Sequence, residues 1–353
     1  MNKRVFFLSV FALCIIVGGV VNNRFSKNST SNQKDIASTQ TNYGGLNNVT
    51  HSLSIEYMRN QEYLGSDIVI EQTLPSGSNY NRYIASYKSD GLKIYALLTI
   101  PQGEKPKTGW PVIIFNHGYI QPEQYRTTEK YIAYTDAFSR NGYIVFKSDY
   151  RGHGNSEGKP EGAYFSPAYT IDVLNAVSSI KKYKDANPER IGMWGHSMGG
   201  MIVLRSMVTT NDITAGELWA GVVASYEDIA NNWHHPVHNP RPWIPSEREQ
   251  ATRQPGRQQL VDEYGSFEEN PQFWQSISPI SFVNDISGPV QLQHGTADEE
   301  VPVFFSQKLD EAMRNVGKTV EFFIYEGDNH NLSNNLDTAL QRSVDFFDSA
   351  LKD

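Results

Sequence analysis

Three residues of this chain have types and positions that could do chemistry together: a serine between two glycines, an aspartate in a glycine turn and a histidine closing a later turn. The serine stands in Gly195-His196-Ser197-Met198-Gly199. A serine hydroxyl is a weak nucleophile at neutral pH, so it needs a base in hydrogen-bond reach, an acid to orient that base, and donors for the oxyanion that attack creates. With those in place the chemistry is acyl transfer through a covalent acyl-serine.

Of the nine histidines, His330 is the expected base, because Glu326-Gly327-Asp328-Asn329-His330 follows an apolar run and precedes a helical pattern. His196 lies inside the serine turn with its side chain expected to point away from the Ser197 oxygen. His234, His235 and His238 form an H-H-x-x-H cluster with no acid or sulfur partner nearby in sequence, so neither a metal site nor a cofactor is expected. The expected acid is Asp298, which closes the turn His294-Gly295-Thr296-Ala297-Asp298. Glu299 and Glu300 compete with it by adjacency, and Asp328 by lying two residues from the base, where it could instead brace the loop. The oxyanion donors are expected to be the backbone N–H groups of Met198 and of Tyr119, the latter in Asn116-His117-Gly118-Tyr119. Arg151, in Arg151-Gly152-His153-Gly154, is expected to bridge loops through its fork of donors.

These residues must be brought together by the elements around them. Arg190–Trp194 reads as the end of a buried strand and Met201–Leu204 as the start of a helix, so Ser197 sits in a tight strand-to-helix turn. Pro111–Phe115, Tyr143–Phe146, Gly221–Ala224, Val290–Leu292 and Val320–Ile324 are short apolar runs of the kind covered on both faces, alternating with helical segments near 127–140 and 168–183. Before them, Asn81–Tyr87 and Leu92–Pro101 flank Ser89-Asp90-Gly91 as a hairpin, and Ile55–Tyr63 reads as a short helix. The order predicts an α/β protein: a mostly parallel, doubly wound sheet with an N-terminal antiparallel hairpin. In such a sheet, functional groups come from loops at the carboxyl ends of strands, where each candidate above lies.

About sixty residues from Tyr226 to Asp285 are too long for an ordinary connection and read as a cap insertion over one end of the sheet. Its aromatics, Tyr226 and Trp233 among them, either wall a substrate pocket or give the insertion a small core of its own.

The 353 residues carry a net charge of −8 and one cysteine, Cys14. The absence of a basic cluster in the body argues against a nucleic-acid partner and favours a small substrate. Lys3 and Arg4 precede an apolar run from Val5 to Val21, which reads as a signal peptide or a membrane anchor and places the body outside the cytoplasm. Residues 22–52, rich in Asn, Ser, Thr and Gln, read as a disordered linker, leaving 53–353 as the domain.

Taken in order, the His117-Gly118, Arg151-Gly152-His153-Gly154, Gly195-His196-Ser197-Met198-Gly199 and His294-to-Asp298 motifs, closed by His330, resemble those of the α/β-hydrolase superfamily. Within it they are similar to the catalytic domain of prolyl-oligopeptidase-family serine peptidases. The resemblance covers about residues 80 to 353. It implies an α/β-hydrolase fold and an acyl-enzyme mechanism with Ser197, Asp298 and His330 as the triad, acting on a short peptide or a small ester. It also implies a proline pocket lined by aromatics after the strand that follows the serine, where Tyr226 and Trp233 fall. The stretch Leu53–Trp110 is too short for the β-propeller of the peptidases, a layout shared with secreted carboxylesterases. An inactive hydrolase fold used for binding is the reading of another class, and such folds usually lack a triad member.

Overall fold

A computed structural model describes residues 51–233 and 255–352. The apolar segment at 5–21, the linker to residue 50 and the H-H-x-x-H cluster lie outside these residues. Among the described residues no helix is long and apolar enough to cross a membrane.

Nine strands form one sheet: β1 (Val69–Leu74), β2 (Tyr80–Ser89), β3 (Leu92–Pro101), β4 (Trp110–Asn116), β5 (Ile144–Ser148), β6 (Ala186–His196), β7 (Ala215–Trp219), β8 (Val290–Gly295) and β9 (Val320–Tyr325), in the order β1-β2-β3-β5-β4-β6-β7-β8-β9. The first four strands in that order pair antiparallel and the rest parallel. Register brings the carboxyl ends level: Asn116 pairs with Gly195, His196 with Trp219, Trp219 with Gln293, and Gly295 with Tyr325. Every loop that carries a candidate residue therefore opens at one edge.

Helices cover both faces. On one lie α3 (Ala168–Lys181) and α4 (Met198–Thr209), together with the helix after β8; on the other lie α2 (Ile132–Arg140) and the C-terminal helix. The C-terminal helix, Leu336–Leu351, buries Ala339, Leu340, Ser343, Val344, Phe346, Phe347 and Leu351, a helical spacing that leaves its other face to water. A short α1 (Ile55–Arg59), capped by the Ser54 hydroxyl accepting from the Tyr57 N–H at 3.2 Å, ends four residues earlier than its apolar pattern suggests.

Two strands differ from the sequence reading. β1 has five exposed residues in six, so it carries no apolar signal as an edge strand. The strand after α4 is Ala215–Trp219, not Gly221–Ala224: the latter run is buried as a loop, with an added Cβ on Gly200 lying 2.7 Å from the Gly221 Cα. The signal of β7 is hidden by Glu217, a carboxylate in the middle of a fully buried strand.

Glu217 accepts from Trp219 Nε1 at 2.6 Å, Gln293 Nε2 at 2.7 Å and the Ser343 hydroxyl, all through one oxygen. Burial pushes its carboxyl up to about 7, against the pull of those hydrogen bonds. A carboxyl raised in the folded state adds stability that is full below its unfolded pKa and lost as pH rises through the folded value, here between about 4.5 and 7. Glu217→Gln keeps the accepting oxygen and removes the ionisation. The variant is expected to match the parent at pH 5 and exceed it at pH 8 by roughly 2–3 kcal/mol in denaturant unfolding. Equal pH dependence in the two proteins would contradict this.

Candidate active site

Between β6 and α4 the chain turns at Ser197 with φ 57° and ψ −118°, a conformation costly for any residue with a Cβ. It is fixed on both sides. The Ser197 N–H donates to the Trp219 carbonyl at 2.9 Å, and its own carbonyl accepts from Gly200 at 3.0 Å and Val222 at 3.3 Å. The glycines have steric reasons: an added Cβ on Gly195 would lie 2.4 Å from the Gly199 oxygen, and one on Gly199 would lie 2.1 Å from the Asn116 oxygen. The serine turn is thus wedged against the end of β4.

Asp298 and His330 meet although they come from loops after different strands. Asp298 Oδ2 accepts from His330 Nδ1 at 2.8 Å and from His294 Nε2 at 3.0 Å, while Oδ1 accepts from the Glu300 and Val301 N–H groups at 2.8 and 2.9 Å. Burial raises this carboxyl, but the donors, His294 and His330 foremost, outweigh it and hold it well below the usual carboxylate range. Asp298 is therefore ionised and aimed. His294 is the residue sequence reasoning left without a role; its other nitrogen meets the Ser306 hydroxyl at 2.7 Å. Neither Asp328 nor Glu300 takes the place of Asp298 on His330 Nδ1. Asp328 spends its oxygens on the N–H groups of Asn329, Asn334 and Asn335 and on the Asn335 amide, bracing the loop. Glu300 is largely exposed, with its carboxylate 3.7 Å from His330 Nε2.

The turn after β4 is held from below by His117, stacked between Tyr125 at 4.6 Å and Tyr150 at 4.3 Å. The Gly118 N–H is taken by the Tyr131 hydroxyl at 2.9 Å. Among the described residues, no protein group accepts from the next N–H, that of Tyr119, or from that of Met198. The Tyr119 ring is exposed. Its backbone, not its phenol, is what the turn presents.

Arg151 donates to the Asp172 carboxylate in α3 from Nη2 at 2.7 Å and Nε at 3.0 Å, one edge of its guanidinium, and from Nη2 to Asp90 in the β2–β3 turn at 2.9 Å, so it ties its loop to a helix and to the hairpin turn. The His196 ring meets the Tyr131 hydroxyl and the His330 carbonyl. Tyr131 carried no sequence signal. The region read as helix from 127 begins only at Ile132, because Lys130 and Tyr131 hold left-handed backbone at φ 56° and 52°.

The insertion divides the two aromatic residues expected to line a pocket. Tyr226 is only 2% exposed, its hydroxyl donating to the Tyr164 carbonyl and accepting from Arg205 at 2.8 Å, so it is a strut in a small core with Leu53, Leu260, Trp274 and Ile277. A phenol satisfied and covered in this way has no face left for substrate. Trp233 is half-buried and donates to the Glu300 carbonyl at 2.7 Å, which sets it beside the Asp298 loop. Residues 234–254 of the insertion lie outside the described residues. Among those described, no cluster of three or more His, Cys, Asp or Glu is placed to hold a metal.

Comparison with known proteins gives a family and a fold. The family profile described as BD-FAE matches residues 98–313, which take in the serine turn and Asp298. The uncharacterized peptidase YtmA of Bacillus subtilis is 25% identical over 271 residues, covering 74% of this chain and 91% of its own length. Among solved structures, the acylaminoacyl peptidase of Pyrococcus horikoshii has a TM-score of 0.61 at 20% identity, over 78% of this chain and 42% of that one. The esterase Pf2001 of Pyrococcus furiosus has a TM-score of 0.57 at 19% identity, over 77% of this chain and 93% of that one. The fold they share is that of the α/β hydrolases.

Proposed function

Because the chain belongs to the BD-FAE family, and its relatives make it a hydrolase of the peptidase or esterase type, we propose that it works through an acyl-enzyme formed on Ser197. The observation that carries this reading is the His330 Nδ1 to Asp298 Oδ2 hydrogen bond, at the same sheet edge as a serine in strained backbone. His330 Nε2 takes the proton of the Ser197 hydroxyl as its oxygen attacks the substrate carbonyl. Asp298 keeps the proton of the imidazole on Nδ1 and stabilises the cation that forms. The N–H groups of Tyr119 and Met198 receive the oxyanion. His330 then passes its proton to the leaving alkoxide or amine, and a water activated by the same nitrogen releases the acid.

The substrate class is a small ester or short peptide, with Trp233 on the wall nearest the acid loop. An extracytoplasmic location, by secretion or by a tether through residues 5–21, rests on the positive flank and apolar run of that segment. Treating the purified chain with a fluorophosphonate and locating the adduct tests the mechanism: the expected label is on Ser197 alone, and a label elsewhere or none would sink the reading. Turnover of p-nitrophenyl acetate and butyrate, set against proline- and alanine-containing aminoacyl nitroanilides, divides the substrate classes. Ester turnover without amide cleavage would remove the peptidase reading. Such an outcome would agree with the near-complete coverage of the Pyrococcus furiosus esterase by this chain.

A further inference from the structure

One hydroxyl and one imidazole join three loops that the sheet brings together. The Gly118 N–H, in the turn after β4, donates to the Tyr131 hydroxyl at 2.9 Å. That hydroxyl meets the Nδ1 of His196, the last residue of β6 and the neighbour of Ser197, at 2.8 Å. His196 Nε2 in turn meets the His330 backbone carbonyl at 3.0 Å, in the loop after β9.

The direction of every proton in this chain is forced by the groups at its ends. A backbone N–H can only donate, so the Tyr131 oxygen accepts from Gly118 and has its own proton to give. A carbonyl can only accept, so His196 Nε2 carries the proton there. Burial, with the nearby His330 ring adding to it, pushes the His196 imidazole down to about 3, so the ring is neutral and its Nδ1 has a lone pair for the tyrosine. The chain therefore closes with one donor for each acceptor.

Two further observations show that the structure gives something up to make it. Tyr131 reaches this place only through left-handed backbone at Lys130 and at itself, which delays the start of α2 to Ile132. Gly118 has no room for a side chain: an added Cβ would stand 2.8 Å from the Tyr131 hydroxyl, 3.2 Å from Ser197 Cβ and 3.3 Å from His196 Nδ1. The His196 and His330 rings also pack together, with centroids 4.5 Å apart.

We propose that Tyr131 and His196 are positioning residues that hold the oxyanion turn and the base loop in register with Ser197. By taking the Gly118 N–H, Tyr131 leaves the Tyr119 N–H as the donor the turn presents. By holding the His330 carbonyl, His196 fixes the backbone from which the base reaches the serine. This rests on the acyl-enzyme reading above, and acts on the rate of the chemical step, not on substrate capture.

Full-length Tyr131→Phe, His196→Gln and His196→Asn test it, with kcat and KM on p-nitrophenyl butyrate, the rate of fluorophosphonate labelling, and the melting temperature. Tyr131→Phe is expected to lower kcat and the labelling rate by about tenfold to a hundredfold with KM within a factor of about two, the size of effect that a small misplacement of reacting groups produces. The amide nitrogen of Gln can stand where His196 Nε2 stands and donate to the His330 carbonyl, whereas that of Asn stops at the position of Nδ1. His196→Gln is therefore expected to lose less than tenfold in kcat, and His196→Asn as much as Tyr131→Phe or more. A purely structural role would lower the melting temperature in both His196 variants without separating them in kcat. Wild-type kcat in Tyr131→Phe, or equal losses in the Gln and Asn variants, overturns the proposal; if Tyr131→Phe does not fold, the Gln and Asn pair decides alone. Absence of label on the wild-type chain would instead overturn the acyl-enzyme reading, and this inference with it.

Discussion

Ser197→Ala is expected to lower turnover by about six orders of magnitude, to a level set by binding and the oxyanion donors alone. The size follows from the way the three side chains depend on one another. Without the hydroxyl, His330 has no proton to take and Asp298 no cation to stabilise, so one deletion costs as much as losing the set. The fold should be indifferent. The strain at Ser197 resides in its backbone, held by the Trp219 carbonyl and the Gly200 and Val222 N–H groups, and Ala keeps all three bonds. Equal melting temperatures, with turnover of p-nitrophenyl butyrate lost and no fluorophosphonate label, are the expected result. A variant retaining a thousandth of the parent rate would place the nucleophile elsewhere.

Asp298→Asn is expected to cost about four orders of magnitude in kcat, nearly as much as Asp298→Ala. The carboxylate accepts from four donors and gives to none: His294 and His330 on one oxygen, the Glu300 and Val301 N–H groups on the other. An asparagine amide has no tolerable orientation there. With its nitrogen toward the histidines it faces two ring protons and drives His330 into the tautomer whose Nε2 cannot accept from serine. Turned over, it faces two backbone N–H groups. The same four donors hold the aspartate carboxyl below its ordinary range, so the stability it contributes is full above that range and is lost as pH falls through the folded value. The variant should therefore show a shallower loss of stability between pH 5 and pH 2 than the parent, a second readout independent of rate. Parent-like kcat in Asp298→Asn would remove this residue from the mechanism.

The parts of this site legible in sequence are those that depend on local chemistry. Gly195 and Gly199 mark the serine turn because no side chain fits where they stand, and Asp298 and His330 follow short apolar runs whose ends a parallel sheet must align. The missed parts depend on distant partners. Tyr131 lies in a segment of good helical pattern, and only Gly118 and His196, reached through the fold, account for its left-handed backbone. β7 was misplaced onto Gly221–Ala224 because a buried glutamate reads as solvent-facing until Trp219, Gln293 and Ser343 are seen around it. Tyr226 is a core residue for a similar reason: an aromatic in the first turn of a helix can face a pocket or a core, and Arg205 and Tyr164 settle which.

Strand order has a biosynthetic consequence. The serine turn is complete once β4, β6 and β7 are in place, but the proposed acid follows β8 and the proposed base follows β9, the last strand made and the outermost of its side. A nascent or truncated chain that stops short of these loops holds its serine with no base to deprotonate it. Any activity of the proposed kind is therefore expected only once synthesis has passed His330, with fragments ending earlier expected to be silent.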